Sequence, residues 1–514
     1  MLDNQQLLPP PKSLLSRNPL QWFRFFGPGA IIASVTIGSG ELVFPARGGS
    51  MFGYNLLWVF LWCGFLKWIL AYCSMRHMIL TGAHPLERWN RLPGPTGWVP
   101  IMIIVTSIAF VPLVLGFLSG LFGEIVYWIT NNSFDKYIWA TVGAAAAVIL
   151  IFLGGYNFME KTQLVFVGMM LICALIAVIY IQPDWWLVLK HSFLPGKIQY
   201  FDWVLTKEPD LKGRSVWLEV LVAVSVIGGV THDYLAYLAF LRDKKWGNCH
   251  RDTINQQEVQ QIADQPRHPA RLWLRAALVD TILSFIAVIL IAICFSVLGT
   301  VLLAPAEKVI QDNLLQEQAT FLAVLSPKLV YLYQISVFLA FFGILYSAPE
   351  MITRLIWEFF NSIPRLHRRV DEKKIRLATI IWGLGGGIAA LWICGKQGIE
   401  PIKMITPFFI VMGVLFCGIY CALNVWMDCK FLPPVLRMPK ILMALNGIAA
   451  LVFLAAGVKG LWESKFFKSD TPLGVHAITF IVCLVIASML LARALKPLYH
   501  YKRRSERVPL ALPP

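Results

Sequence analysis

Two short stretches of the sequence carry side chains that hydrocarbon disfavours. Residues 36–41 read Thr-Ile-Gly-Ser-Gly-Glu, and residues 227–233 read Ile-Gly-Gly-Val-Thr-His-Asp. Each stretch lies inside an apolar segment long enough to cross a bilayer, where an ionisable group indicates a functional site. The glycines weaken a helix, and a break at that depth is tolerated only in protein or around a cavity. The sequence therefore predicts two interrupted helices that together bind a small solute or ion.

These stretches are rich in oxygen ligands. The breaks expose backbone carbonyls, those of Thr36, Ile37, Ile227 and Gly228. Glu41 adds a carboxylate, while Ser39 and Thr231 add hydroxyl oxygens, and such a set suits a hard cation such as Mg²⁺, Ca²⁺ or Mn²⁺. The alternative is an organic solute or anion held by helix N-termini and His232. The predicted binding residues are Thr36, Gly38, Ser39, Glu41, Ile227, Gly228, Val230 and Thr231, with Glu41 and Ser39 as metal ligands.

His232, Asp233 and Asp280 are candidates for a proton relay. Histidine titrates near physiological pH, and a neighbouring carboxylate tunes its pKa. Consecutive residues on a helix point about 100° apart, so His232 and Asp233 need not touch. Asp280, with Arg271 and Arg275 preceding it in the chain, fits either a proton exit or a structural ion pair.

Three other acidic or basic groups have structural interpretations. Lys67 lies within an apolar run and is expected to snorkel or to pair. Glu350 follows Pro349 and lies near Arg354 in the sequence, and it is expected to be a charge at the membrane interface. Glu41 itself has an alternative role as the partner of Arg47.

The composition is typical of a polytopic membrane protein. Of the 514 residues, 57% are hydrophobic and 14% are charged, whereas soluble proteins carry about 25% charged residues. The net charge of +16 would suit nucleic acid, but the basic residues fall in alternate loops between apolar runs, so no nucleic-acid partner is expected. The ten cysteines are scattered without a CxxC pair, which argues against a disulfide framework or a zinc site.

Twelve apolar runs of about 20 residues predict twelve membrane-spanning helices, numbered as spans 1 to 12. They cover residues 25–45, 54–80, 97–122, 136–155, 161–182, 216–241, 272–300, 329–350, 374–394, 404–427, 439–461 and 473–494. Most of the Lys and Arg residues fall in loops on one side. The positive-inside rule makes that side cytoplasmic and places both termini there, in a cell (inner) membrane.

Spans 1–5 and 6–10 are predicted to be two copies of one unit. Similar residues precede each break (Ala-Ser-Val at 33–35, Val-Ser-Val at 224–226). Because each copy has an odd number of spans, the second copy enters the membrane from the side opposite to the first. The two copies then form an inverted repeat, and the breaks meet at its axis. The predicted organisation is a tail (1–24), the first repeat (25–182), an outer loop (183–215), the second repeat (216–427), two further helices (428–494) and a basic tail (495–514).

Three further patches resemble the Nramp family of divalent-metal transporters. Residues 27–34 (GPGAIIAS) are similar to the family's Gly-Pro-Gly opening of the first helix. Arg76 with Thr81-Gly82, and residues 156–161 (YNFMEK), look like other family landmarks. The resemblance implies an all-α polytopic LeuT-like fold, a 5+5 inverted repeat plus two helices, with helices 1 and 6 broken. It also implies a monomer, whereas symport with H⁺ is expected from the candidate relay residues His232 and Asp233.

The departures from the family fall in the site itself. Where the family reads Asp-Pro-Gly-Asn, residues 38–41 read Gly-Ser-Gly-Glu. Where the family reads Met-Pro-His, this chain has Val230, Thr231 and His232. Only the histidine is retained among the metal-site side chains. The resemblance therefore implies the fold, but it does not imply that manganese or iron is the substrate.

The leading hypothesis is an ion-coupled secondary transporter of a divalent cation that works by alternating access. Its expected partners are the lipid bilayer, the small transported ion or solute, and H⁺, with no resident cofactor. A membrane enzyme using His232 and Asp233 is a second class, but no nucleophile–base pattern or nucleotide motif follows a span. A channel or receptor predicts continuous helices without paired breaks.

Overall fold

The computed structural model describes most of the chain. The described residues are 7–18, 21–22, 25, 29, 33, 37–131, 133–153, 156–208, 211, 215–309, 326–327, 329–397, 405, 408–463 and 473–499. Throughout these ranges the secondary structure is helical, without a strand. Nine of the 21 residues of span 1, Thr36 among them, lie outside these ranges.

Spans 2 to 12 form helices close to the predicted ranges. Nine helical segments in the described ranges are long and apolar enough to cross a membrane, and spans 5 and 12 contribute shorter apolar helices. In chain order the helices are Leu57–Thr81, Trp98–Ile129, Lys136–Leu153, Tyr156–Ile181, Val216–Val226 with Thr231–Lys244, Pro269–Leu298, Leu329–Ser362, Glu372–Thr379 with Gly386–Lys396, Phe416–Phe431, Lys440–Glu463 and Leu473–Ala494. The helical fold satisfies backbone polar groups within each segment, as hydrocarbon requires.

The two repeats pack against each other through spans 2 and 7. Span 7 lies along span 2 and along helix Phe44–Phe52, which follows span 1. Small residues allow the close approach, since a Cβ added to Gly49 would lie 2.0 Å from the Ser296 carbonyl oxygen. Helix contacts in membranes depend on such small residues, because lipid supplies no hydrophobic drive for association.

Ion pairs join the ends of spans 6, 8 and 9. Arg242 at the end of span 6 makes a two-pronged pair with Glu358 of span 8, whose side chain is buried. Glu350 accepts from Arg354 at 3.2 Å and from Arg376 of span 9 at 2.8 Å. Removing one partner of a buried pair is far more destabilising than replacing both, so these pairs fix the relative positions of the three spans.

A second, more exposed pair connects the loops that follow spans 6 and 8. His367 lies 3.4 Å from Asp252, and Arg368 contacts the same carboxylate at 2.9 Å. The hydrogen bond from His367 lowers the pKa of Asp252 to about 2. The same bond raises the pKa of His367 above its ordinary value. The two residues therefore stabilise the fold when His367 is protonated and Asp252 is ionised.

The contribution of this pair should depend on pH in a defined window. Because the pKa of His367 is raised, its stabilisation is complete below about 6.5 and is lost as the pH rises through the folded-state pKa. The Asp252 contribution is present above about 3.9 and is lost only as the pH falls towards the depressed pKa. We expect His367→Gln to lower the thermal unfolding midpoint between these limits and to match wild type in alkali.

The matched control is His191→Gln, which changes a histidine of the loop helix Trp185–Phe193. Its difference from wild type should not follow the His367 window. A His367→Gln deficit that stays constant from acid to alkali would contradict the pairing.

Candidate functional site

The break of span 6 is built by two consecutive glycines. Helix Val216–Val226 ends there, and a new helix starts at Thr231. Gly228 and Gly229 have φ angles of +71° and +92°, which residues with a Cβ rarely adopt. The predicted interruption at residues 227–233 is therefore confirmed, and it occupies residues 227–230 inside a segment long enough to span a membrane.

The break of span 1 has a different local structure. Residues Ile37–Glu41 form a π-helical turn, and a short turn follows before helix Phe44–Phe52 begins. The backbone of Gly38 and Ser39 forms part of this widened turn. The Ser39 side chain and all of Thr36 lie outside the described parts of the chain. Widened turns of this kind occur often at functional sites.

Glu41 connects the two breaks. Its Oε1 accepts a 2.8 Å hydrogen bond from the backbone N–H of Gly228, and the side chain is fully buried. The approach is close, because a Cβ on Gly40 would lie 2.6 Å from the Cβ of Val226. Arg47, the alternative partner from the sequence, instead lies 3.6 Å from Glu219. Among the described residues, Oε2 of Glu41 has no hydrogen-bond partner.

Lys67 enters the break of span 6 from span 2. Its ammonium donates 2.8 Å hydrogen bonds to the carbonyls of Ser225 and Gly229, and the residue has no exposed surface. Of the two predicted alternatives, snorkelling is therefore wrong and pairing is confirmed, because the exposed carbonyls at the break give the Lys67 charge buried partners. Tyr234 donates a 2.6 Å bond to the Gly228 carbonyl, which was predicted to be a bare cation ligand.

The second half of span 6 starts with a cluster of polar side chains. The Thr231 hydroxyl donates to the Met412 carbonyl of span 10 at 2.8 Å. Asp233 accepts from the backbone N–H of Val230 at 2.8 Å, which places its charge at the positive end of the helix. His232 Nε2 lies 3.1 Å from Asp233, so the two neighbours do touch. Its Nδ1 has no partner in the described chain.

Asp280 lies on span 7 and makes a different set of contacts. Both of its carboxylate oxygens accept from the backbone N–H of Gly29, at 3.2 and 2.9 Å, and one accepts from the hydroxyl of Tyr237. Arg275 donates to the Ser16 carbonyl. These contacts connect Asp280 to span 1 and, through Tyr237, to span 6. Tyr237 follows His232 and Asp233 by four or five residues, which is more than one helical turn.

A small cavity opens beside the break of span 6. Its volume is about 40 Å³, measured as the space open to the centres of water molecules, and one water needs about 10–15 Å³ on that measure. Val230, His232 and Asp233 contribute to its wall, together with Met351 of span 8 and Phe408 of span 10. The space suits a few waters or one small ion, with two polar side chains in an otherwise apolar wall.

The side chains alone do not make a metal cluster. Across the described ranges, no three His, Cys, Asp or Glu residues converge on one point. A cation at this site would depend on backbone and hydroxyl oxygens around Glu41 and Asp233, which is the chemistry of hard ions.

Sequence reasoning missed Lys67 and Tyr234 as members of the site. Lys67 carried a usable signal, because it is a single charge in the middle of an apolar span and such groups mark functional sites. Tyr234 carried no such signal, because a tyrosine in an apolar helix is not unusual. Ile227 is buried and contributes its backbone to the break.

Two broken helices that meet in a helical membrane bundle define the class of secondary transporters with a LeuT-like fold. Solved structures support this fold. Variants of the Eremococcus coleocola manganese transporter superpose with TM-scores of 0.68 and 0.69 at 13% identity, covering 95% and 96% of this chain and 97% and 99% of theirs.

The sequence comparisons then identify the family. The family model described as natural resistance-associated macrophage protein-like matches residues 29–463, so the chain belongs to the Nramp family, whose members are transporters rather than enzymes. Relatives include the divalent metal cation transporter MntH of Caldanaerobacter subterraneus subsp. tengcongensis, 22% identical over 219 residues (42% of this chain, 47% of the relative). The metal transporter Nramp3.2 of Populus trichocarpa is 24% identical over 243 residues (46% and 45%). The matches span about half the length of these curated relatives.

The positive φ at Gly228 predicts a specific sensitivity. In Gly228→Ala the new Cβ would adopt a disfavoured backbone conformation and lie 2.8 Å from the ring of Phe285. We expect a loss of about 1–3 kcal/mol of stability, seen as a lower thermal unfolding midpoint in detergent.

Gly385→Ala is the matched control, because a Cβ there meets nothing within 4 Å and the residue lies in helical span 9. Its unfolding midpoint should equal or slightly exceed that of wild type. Equal midpoints for Gly228→Ala and wild type would show that the break tolerates an ordinary residue.

Proposed function

We propose that the protein is a secondary transporter that moves a divalent metal cation across the membrane by alternating access, coupled to H⁺. The observation that carries the proposal is the buried Glu41 carboxylate, which joins both helix breaks and has one oxygen without a described partner. An ionisable group at that depth is costly unless it serves an ion pathway or a bound solute. The names of the curated relatives, divalent metal cation transporter and metal transporter, agree with this assignment.

The chemistry of the site favours a hard ion. Glu41, Asp233 and the hydroxyl of Thr231 supply oxygen, and oxygen ligands suit Mg²⁺, Ca²⁺ and Mn²⁺. Ser39 and the carbonyl of Thr36 belong to the same proposed set on sequence grounds. Gly38 and Val230 also belong to the proposed set on sequence grounds. Inner-membrane localisation, cytoplasmic termini and a monomeric state are parts of the same proposal.

An organic solute is the weaker candidate. The cavity beside His232 has a volume of about 40 Å³, whereas pockets for organic ligands run to several hundred Å³. The polar groups at its wall are also few. An ion with a partial water shell fits this space better.

Uptake into proteoliposomes tests the metal assignment. We expect wild type to take up at least one of Mn²⁺, Mg²⁺ and Ca²⁺, and Glu41→Gln to lower the rate about tenfold or more, because it removes the charge that offsets the ion. Glu307→Gln is the matched control, since Glu307 is a half-exposed residue that pairs with Lys207 outside the site. It should transport like wild type.

Two outcomes would refute parts of this proposal. If Glu41→Gln transports at the wild-type rate, the Glu41 carboxylate is not part of the ion site. If wild type moves none of the three ions, the organic-solute alternative replaces the divalent-cation assignment.

Proton coupling is tested in the same vesicles with a pH-sensitive dye in the lumen. We expect metal uptake to acidify the lumen in wild type. His232→Ala should uncouple this signal from metal uptake, because His232 contacts Asp233 and its second ring nitrogen has no partner among the described residues and can carry a transferable proton. His191→Ala, in the loop helix Trp185–Phe193, is the control and should acidify the lumen normally. Full acidification in His232→Ala would exclude this histidine from the relay.

A further inference from the structure

Lys67 is a buried charge at the break of span 6, and the proposed metal binding and proton transfer give it no role. It lies in the first half of helix Leu57–Thr81, and its Nζ is 2.8 Å from the carbonyl oxygens of both Ser225 and Gly229. We propose that the Lys67 ammonium is a tethered cation: it occupies the carbonyl ligands at the break of span 6 in place of a free monovalent ion.

The position of these carbonyls supports the proposal. Ser225 belongs to the last turn of helix Val216–Val226, and Gly229 lies in the break that follows. The C-terminal end of a helix carries unpaired carbonyls and a partial negative charge. In secondary transporters, such ends of broken helices coordinate the small cations, and carbonyl oxygens replace the hydration shell of an ion. Lysine brings an ion of the same charge to the same oxygens.

Acidic groups lie near the buried Lys67 side chain. Lys67 is fully buried, and Glu41 and Asp233 are close enough to interact with it electrostatically. The thiols of Cys63 and Cys417 also face it. Lysine is a compact point charge with three rotatable donors, so one ammonium can bond both carbonyls while the nearby carboxylates partly offset its charge.

A neutral residue at position 67 should therefore create a vacancy for an ion. The carbonyls of Ser225 and Gly229 would lose their donor while the two carboxylates keep their places. An alkali cation from solution can then bind, and because it binds only the folded state it stabilises the fold. In wild type the ammonium already fills the position, so alkali ions should have no specific effect.

Thermal unfolding of the purified full-length protein in detergent tests this without any transport assay. Wild type, Lys67→Gln and Lys67→Arg are compared in NaCl, KCl and choline chloride at equal ionic strength. We expect Lys67→Gln to unfold at a lower temperature than wild type in choline chloride, and NaCl or KCl to raise its midpoint by about 3 °C or more. Wild type and Lys67→Arg should have one midpoint in all three salts. Lys190→Gln, which removes an exposed lysine, should behave like wild type.

Each alternative result overturns the proposal. Lys67→Gln midpoints that are equal in all three salts would mean that no ion takes the ammonium's place. Failure to recover folded Lys67→Gln even in alkali salts would mean the same. A wild-type protein that NaCl or KCl stabilises specifically would show that the position is not filled by Lys67. These expectations do not depend on metal transport. If the protein moves no divalent metal, the proposed function fails while the Lys67 proposal can still hold.

Discussion

Backbone groups released by a helix break find no water in hydrocarbon, and the site is organised around supplying them with partners. At the break of span 6 the N–H of Gly228 bonds to Glu41, and the carbonyls of Ser225 and Gly229 bond to Lys67. Tyr234 covers the Gly228 carbonyl. Hydrogen bonds to charged groups contribute about 1.5–3 kcal/mol each, and an unsatisfied buried group costs a similar amount. The break persists because side chains from spans 1 and 2 complete it.

The break of span 6 is therefore a point where the two repeats are hydrogen-bonded to each other. Glu41 and Lys67 belong to the first repeat, while the groups that they bond belong to the second. A movement of span 6 relative to spans 1 and 2 must exchange these bonds for others, such as bonds to a bound ion or to water. Beside the breaks, Oε2 of Glu41 and Nδ1 of His232 have no hydrogen-bond partner among the described residues, so both atoms are available for such an exchange.

The sequence predicted the positions of the breaks because glycines and ionisable groups in apolar runs are a local signal. It also predicted that the breaks meet, since an odd number of spans per repeat requires inversion. It could not give the partners. Lys67 is 158 positions from Ser225, and no local pattern in span 2 distinguishes a lysine that binds carbonyls from one that snorkels. Helix geometry suggested that His232 and Asp233 diverge, but Asp233 turns back to the Val230 N–H and thereby reaches His232.

Spans 2 and 7 show how the two repeats use opposite charges for one purpose. They occupy equivalent places in the inverted repeat, and each carries a buried ionisable group in the first half of its helix, Lys67 and Asp280. Lys67 bonds carbonyls of span 6, whereas Asp280 bonds the N–H of Gly29 in span 1. The signs differ because the backbone groups differ: carbonyls attract a cation, and N–H groups attract an anion. The second span of each repeat thus holds the first span of the other, so neither broken helix can shift without breaking a charged hydrogen bond across the repeat boundary.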